Sequence, residues 1–190
     1  MQSVIIGVIV VVVLIILIWF VSARNGFVAL RNRVKDQAAQ IDVQLKRRFD
    51  LIPNLVAVVK SQAGFEKSTL EAVVQARAGA AQAKNLPDTM KADNELASAL
   101  GKLFAVAESY PDLKSNAGFN QLSSELADTE DKIAYSRQFY NDTVLKYNNA
   151  IQMFPGNIAA GICGFSAQEF LATADNERES VKISADDLKV

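Results

Sequence analysis

Apolar side chains recur at alternating steps of three and four along most of this chain. One row runs Phe27, Leu30, Val34, Ala38, Ile41, Leu45, Phe49, Ile52, and resumes through Val56, Val59, Ala63, Leu70 and Val73. That spacing keeps a narrow stripe on one helix face, the seam of a bundle or coiled coil. Pro53 lies between the two rows. Proline removes a backbone donor and clashes with the preceding turn, so the pattern predicts a helix over 27–50 and a second over 53–84 with Pro53 in its first turn. A kinked, continuous helix through Pro53 is the alternative. A third helix is predicted from residue 88 or 93 to 109, with Leu96, Leu100, Leu103, Phe104 and Ala107 inward. A fourth spans 119–153, with Phe119, Leu122, Leu126, Ile133, Tyr140, Val144, Tyr147 and Ile151 on its seam. Leu86-Pro87-Asp88, Pro111 with the polar stretch 112–118, and Pro155 punctuate the rows. Short connections between such helices predict an all-α, antiparallel up-and-down four-helix bundle.

Ahead of the bundle, residues 4–21 are apolar apart from Gly7. At ~1.5 Å per residue the run nearly crosses a ~30 Å hydrocarbon core, with Trp19 and Phe20 towards one interface. A cleaved signal peptide is the rival, with Val21-Ser22-Ala23 as its cleavage site. Against it, no Lys or Arg precedes the run, and the run exceeds a typical signal core. Asn25-Gly26 interrupts or loosens the helix after it. Positive charge follows, at Arg24, Arg31, Arg33 and Lys35. The positive-inside rule then puts the N-terminus outside and the bundle in the cytoplasm.

Two acids and two arginines fall on otherwise apolar rows: Glu66 and Arg77 in the second predicted helix, Glu130 and Arg137 in the fourth. With those helices starting at the same end, Glu66 and Glu130 are expected at nearly the same height. The favoured reading is a salt-bridge set that fixes register at some cost in stability. A carboxylate metal site is the weaker one, because such bundle sites also need histidines and further acids. Lys46, Arg47 and Arg48 fall in the last turns of the first predicted helix. They read as cations beside the negative end of its dipole, or as a docking patch for phosphate or an acidic partner.

After Phe154 the chain turns small and apolar, and no charged residue occurs over 153–168. Phe154, Ile158, Ile162 and Phe165 are its large side chains and have no evident helix stripe. Four alternating helices return this segment to the membrane side. There it is expected to rest on the lipid interface or a neighbour's anchor helix, or else to fold back as a lid on the core. Ser166-Ala-Gln-Glu169 reads as a capping box opening a short helix through about Ala174. The expected domains are 1–25, anchor; 26–154, bundle; 155–174, apolar loop and short helix; and 175–190, polar tail.

Composition narrows the chemistry. Acidic and basic residues, 21 and 20, nearly balance, so nothing in the net charge points to nucleic acid. The chain has no histidine, which removes Ser-His-Asp and Cys-His arrangements and the usual zinc sets. Cys163 is the single cysteine and forms no intramolecular disulfide. Gly156 and Gly161 have phosphate-loop spacing, but Ile162 stands where the lysine is needed. No catalytic residue, metal site or cofactor is expected.

Several motifs resemble one family. Gln40-Ile-Asp-Val-Gln-Leu-Lys-Arg-Arg-Phe-Asp-Leu-Ile-Pro-Asn-Leu-Val56 is similar to the signature run of the LemA family of bacterial membrane proteins. Glu71-Ala-Val-Val-Gln-Ala-Arg77, Tyr110-Pro-Asp-Leu-Lys114, Tyr147-Asn-Asn-Ala-Ile-Gln-Met-Phe-Pro155 and Gly164-Phe165 follow in order, so the likeness covers about 27–184. It implies one N-terminal membrane helix and a bromodomain-like four-helix bundle, and brings no catalytic residues. The combined expectation is a non-enzymatic scaffold or assembly protein, single-pass in the bacterial inner membrane. Its expected partners are the lipid bilayer and further copies of itself, as a homo-oligomer, with no nucleic acid. An accessory or regulatory subunit of another membrane protein complex is the alternative.

Overall fold

The computed structural model of the chain describes residues 1–62, 64–83 and 85–171. Its first element, α1 (Gln2–Lys60), is a single helix of 59 residues, roughly 90 Å long at ~1.5 Å per residue. It carries both the apolar run and the first seam. Residues 1–19 are exposed, and Phe20 and Ala23 are the first side chains to be partly covered.

The expected break before Pro53 does not occur. A proline inside a helix deprives the carbonyl four residues back of its donor, here that of Phe49. Arg77 fills the place: its Nε donates to the Phe49 carbonyl at 3.0 Å. The orphaned acceptor is thus satisfied by a side chain 28 residues further on, and α1 continues to Lys60. Arg77→Met is expected to cost about 1–2 kcal/mol of unfolding free energy in the native background. In a Pro53→Ala background, where the replacement residue supplies its own N–H, the same change costs distinctly less. Equal costs in both, by denaturant titration, would mean that Arg77 does not brace the proline.

The chain reverses after Ser61 through Gly64, whose φ of +80° suits glycine. Tyr110 pins this turn by donating its hydroxyl to the Gly64 carbonyl at 2.8 Å. Helix α2 (Lys67–Gln82) returns, and α3 (Leu86–Ala107) runs away again. Asn85 caps α3 by accepting from the Asp88 N–H at 2.9 Å. The predicted polar turn at 112–118 contains a short helix, α4 (Pro111–Lys114), with Leu113 buried beneath it. Asn116 then caps α5 (Ala117–Gln152), accepting from Phe119 N–H at 3.1 Å. Helix α5 lies antiparallel along α1, the most extensive pairing in the bundle, while α2 and α3 form a second pair. The architecture is therefore all-α, with alternating helix directions.

Two expectations for the C-terminal part are corrected. Residues 155–165 are not a loop: Gly156–Cys163 forms a helix, α6, which Gly164 ends at a φ of +70°. Any Cβ at Gly156 would collide with the Ala150 carbonyl, and Phe27 lies 3.4 Å from the same point, so glycine lets α6 close onto α1 and α5. The capping-box helix at 166–169 is absent as well, and 165–171 has no helical assignment. The reason is that its backbone polar groups are claimed by α5. Asn148 accepts from Gln168 N–H and donates to the Gln168 carbonyl, both at 2.9 Å. Asn141 does the same with Leu171, at 2.9 and 3.0 Å. Seven helical residues and three extended ones each cover about 10 Å, so the two pairings stay in register. Tyr147 and Tyr140 add hydroxyl bonds to the Ser166 and Glu169 carbonyls at 3.0 and 3.2 Å. Burial holds both phenols above their ordinary pKa and keeps them neutral donors. The predicted end of that short helix near Ala174 and the tail 175–190 lie outside the described residues.

Candidate functional site

The buried apolar residues fall into two clusters. One, nearer the apolar run, contains Phe27, Ile41, Leu45, Met90, Ile133 and Tyr147. The other contains Ile52, Leu55, Leu96, Leu103, Phe119 and Leu126. Between them lies a polar layer, with one step of three helix seams given to a polar side chain. Arg48 sits between Leu45 and Ile52, Asp93 between Met90 and Leu96, and Thr129 with Glu130 between Leu126 and Ile133.

Arg48 and Asp93 are each only 3% exposed. Arg48 Nη1 lies 3.3 Å from both carboxylate oxygens of Asp93 and donates to Oδ2. The approach to Oδ1 is poorly aligned, so that oxygen gains the nearby charge without a hydrogen bond. The same Nη1 pairs with Glu130 Oε2, and Glu130 remains half exposed. Thr129, fully buried, turns its hydroxyl back to the Leu126 carbonyl at 2.8 Å. Burial pushes the Asp93 pKa up to about 6; Arg48 opposes that, Glu130 adds to it, and Arg137 opposes it. One buried cation thus joins α1 to α3 and α5, and a one-turn slip of any of the three would strand a charge. Chemically the layer can lock the register of the three helices.

The predicted seam charges are placed differently. Glu66 is exposed at the start of α2, where it accepts from Thr69 Oγ1 at 3.1 Å. Glu130 lies 13 residues inside α5, roughly 20 Å from that end. The expectation of equal height fails because it counted the second helix from Pro53, which belongs to α1. Arg77 serves the Phe49 carbonyl, and Arg137 acts on Asp93 through its charge. None of the three cations over 46–48 is at a helix end, because α1 continues to Lys60, and Arg48 is buried in the polar layer. Lys46 pairs with Asp50 at 3.2 Å on the surface. The layer therefore unites Glu130 with two residues that the seam analysis passed over, Arg48 and Asp93. Among the described residues no group of three His, Cys, Asp or Glu side chains is arranged to hold a metal.

The apolar segment after α5 stands beside α1. Phe165 meets Phe27 edge-on at 5.4 Å between centroids, with the Arg31 guanidinium 5.3 Å over the Phe165 ring. Ala159 and Ala160 are buried, whereas Phe154, Ile158 and Ile162 are 80%, 54% and 71% exposed.

A helix apolar and long enough to cross a membrane, continuous with an antiparallel bundle, defines a membrane-associated all-helical protein. The chain belongs to the LemA family, matched over residues 37–184. It is similar to the magnetosome protein MamQ of Magnetospirillum gryphiswaldense, 27% identical over 172 residues that cover 77% of this chain and 63% of the relative. It is also similar to magnetosome protein MamQ 2 of Paramagnetospirillum magneticum, 28% identical with the same coverage. Protein LemA of Metamycoplasma hominis is 26% identical over 144 residues, 74% of this chain and 65% of its own length. The chain thus spans less than two thirds of each of these relatives.

Proposed function

We propose that this protein is a non-enzymatic, membrane-anchored scaffold of the bacterial cell membrane that self-associates through its helical faces. Its N-terminus lies outside and its bundle in the cytoplasm. The observation that carries the reading is α1, which passes from apolar span to bundle without a flexible joint, so that the bundle is held at a fixed angle to its anchor. Exposed apolar side chains support self-association. The contact of Arg48 with Glu130 sets an antiparallel register in which Val43 is level with Tyr135, one turn from Phe139. All three are more than half exposed. The basic residues that follow the apolar run support the orientation.

Crosslinking of the full chain in native membranes, followed by sizing of extracted particles, tests this. A regular ladder of homo-oligomers is expected, shortened by Tyr135→Glu with Phe139→Glu. Externally added protease is expected to leave the bundle intact. One dominant foreign partner in place of the ladder would overturn self-association, and external digestion would overturn the orientation. The second reading is an accessory subunit of another membrane protein complex. It is favoured by an open groove of about 750 Å³ at the far end, lined by Val56, Phe65, Leu70 and Val74 with Lys60 and Lys67 beside them.

A further inference from the structure

The exposed face of α6 is a row. Ile158 and Ile162 are spaced four apart and so stack on one side of this short helix, and Phe154 and Met153, in the turn just before it, are 80% and 65% exposed. The opposite face, Ala159 and Ala160, is fixed in the core. Helix α6 is therefore held rigidly while it presents large apolar side chains outward. Nothing about bundle packing requires them there.

The position of this row along α1 says what covers it. Residues 4–21 span roughly 27 Å, close to the ~30 Å of a hydrocarbon core. Phe20 and Ala23, at the end of that run, pack against the cluster that holds Ala159 and Ala160. Phe27, against which Gly156 closes, is six residues past the run, roughly 9 Å further on. Helix α6, flanked by Gly156 and Phe165 that both meet Phe27, thus stands roughly 9 Å past the end of the apolar run, at headgroup depth. Residues 153–168 carry no charge to oppose burial there. Exposed Arg24 lies on α1 three residues past the run, placed for lipid phosphates.

The geometry points to α6 as an interfacial foot, lying on the bilayer that α1 crosses with Phe154, Ile158 and Ile162 inserted at the headgroup–acyl boundary. This rests on the anchor reading of α1. A foot beside a span gives the protein two fixed points on the membrane plane, and so sets the tilt of the bundle.

The test uses the full chain at one copy per nanodisc of phosphatidylcholine and phosphatidylglycerol, in a Cys163→Ser background. A fluorophore is attached to Val12→Cys, Ile162→Cys or Ser68→Cys, and lipids spin-labelled at shallow or deep positions act as quenchers. The expected result is severalfold stronger quenching at Ile162 than at Ser68, with the shallow label more effective, and at Val12 with the deep label more effective. Ile158→Asp in the Ile162→Cys protein is expected to lower the Ile162 quenching with helix content unchanged. Quenching at Val12 with none at Ile162 overturns the foot alone, and no quenching at Val12 overturns the anchor. Quenching at Ile162 seen only with two copies per disc assigns the row to a neighbouring chain and also overturns the proposal.

Discussion

Arg48→Met is expected to lower the unfolding free energy by about 2–3 kcal/mol, because it takes the nearest countercharge from a buried carboxylate. The size follows from what Asp93 can do in response. It cannot turn to solvent, since it is 3% exposed and held between α1 and α5. It can take up a proton, and with its folded pKa already near 6, doing so at pH 7 costs only about 1.4 kcal/mol. That route caps the electrostatic penalty, and lost packing of the arginine stem adds to it. Arg47→Met, one residue away on the exposed side, is the control and should change stability by less than ~0.5 kcal/mol. Adding Asp93→Leu to Arg48→Met should recover most of the loss, since an apolar pair of similar volume leaves no buried charge. Denaturant titration of the full chain in detergent, followed by circular dichroism, measures all four proteins. Equal losses for Arg48→Met and Arg47→Met would show that the layer is solvated and locks nothing.

The alternating threes and fours carried the fold class, because each helix buries one stripe and the stripe is written in the local sequence. Where local rules failed, a distant partner had decided the matter. Pro53 ends a helix by every nearby criterion, yet its orphaned carbonyl is met by Arg77 from another helix. The capping box at 166–169 is sound chemistry that lost to Asn141 and Asn148, whose side chains hold the same backbone extended. That outcome did leave a trace: the dipeptide Tyr-Asn occurs at 140–141 and again at 147–148, two helical turns apart. The polar layer also left one. Extending the third seam upstream from Leu96 by threes reaches Asp93 and Met90, and the first seam admits Arg48 as readily as Phe49 between Leu45 and Ile52. Helix α6 was hidden by its composition. Glycine and alanine blur a stripe and leave only Ile158 and Ile162 at helical spacing.

Acidification is expected to strengthen the bundle over a range in which proteins held by surface carboxylates weaken. Asp93 has a folded pKa raised to about 6, chiefly by burial, against about 3.9 for the unfolded chain. Between those values the folded state binds the proton and the unfolded state does not. Linkage then makes stability fall as pH rises. The contribution is complete below about pH 4 and is lost as pH climbs through 6, with a span on the order of 2–3 kcal/mol. Glu130 and Arg137 face the same layer, and Asp42, raised by burial as well, slopes in the same direction elsewhere on α1. Comparison with Asp93→Asn separates them, because that variant keeps every other titrating group. The native chain should gain stability from pH 7.5 to pH 5 relative to Asp93→Asn, with most of the difference developing below pH 6. Parallel profiles for the two proteins would mean that Asp93 titrates like a solvated carboxylate and that α1 and α3 are not joined through a dry ion pair.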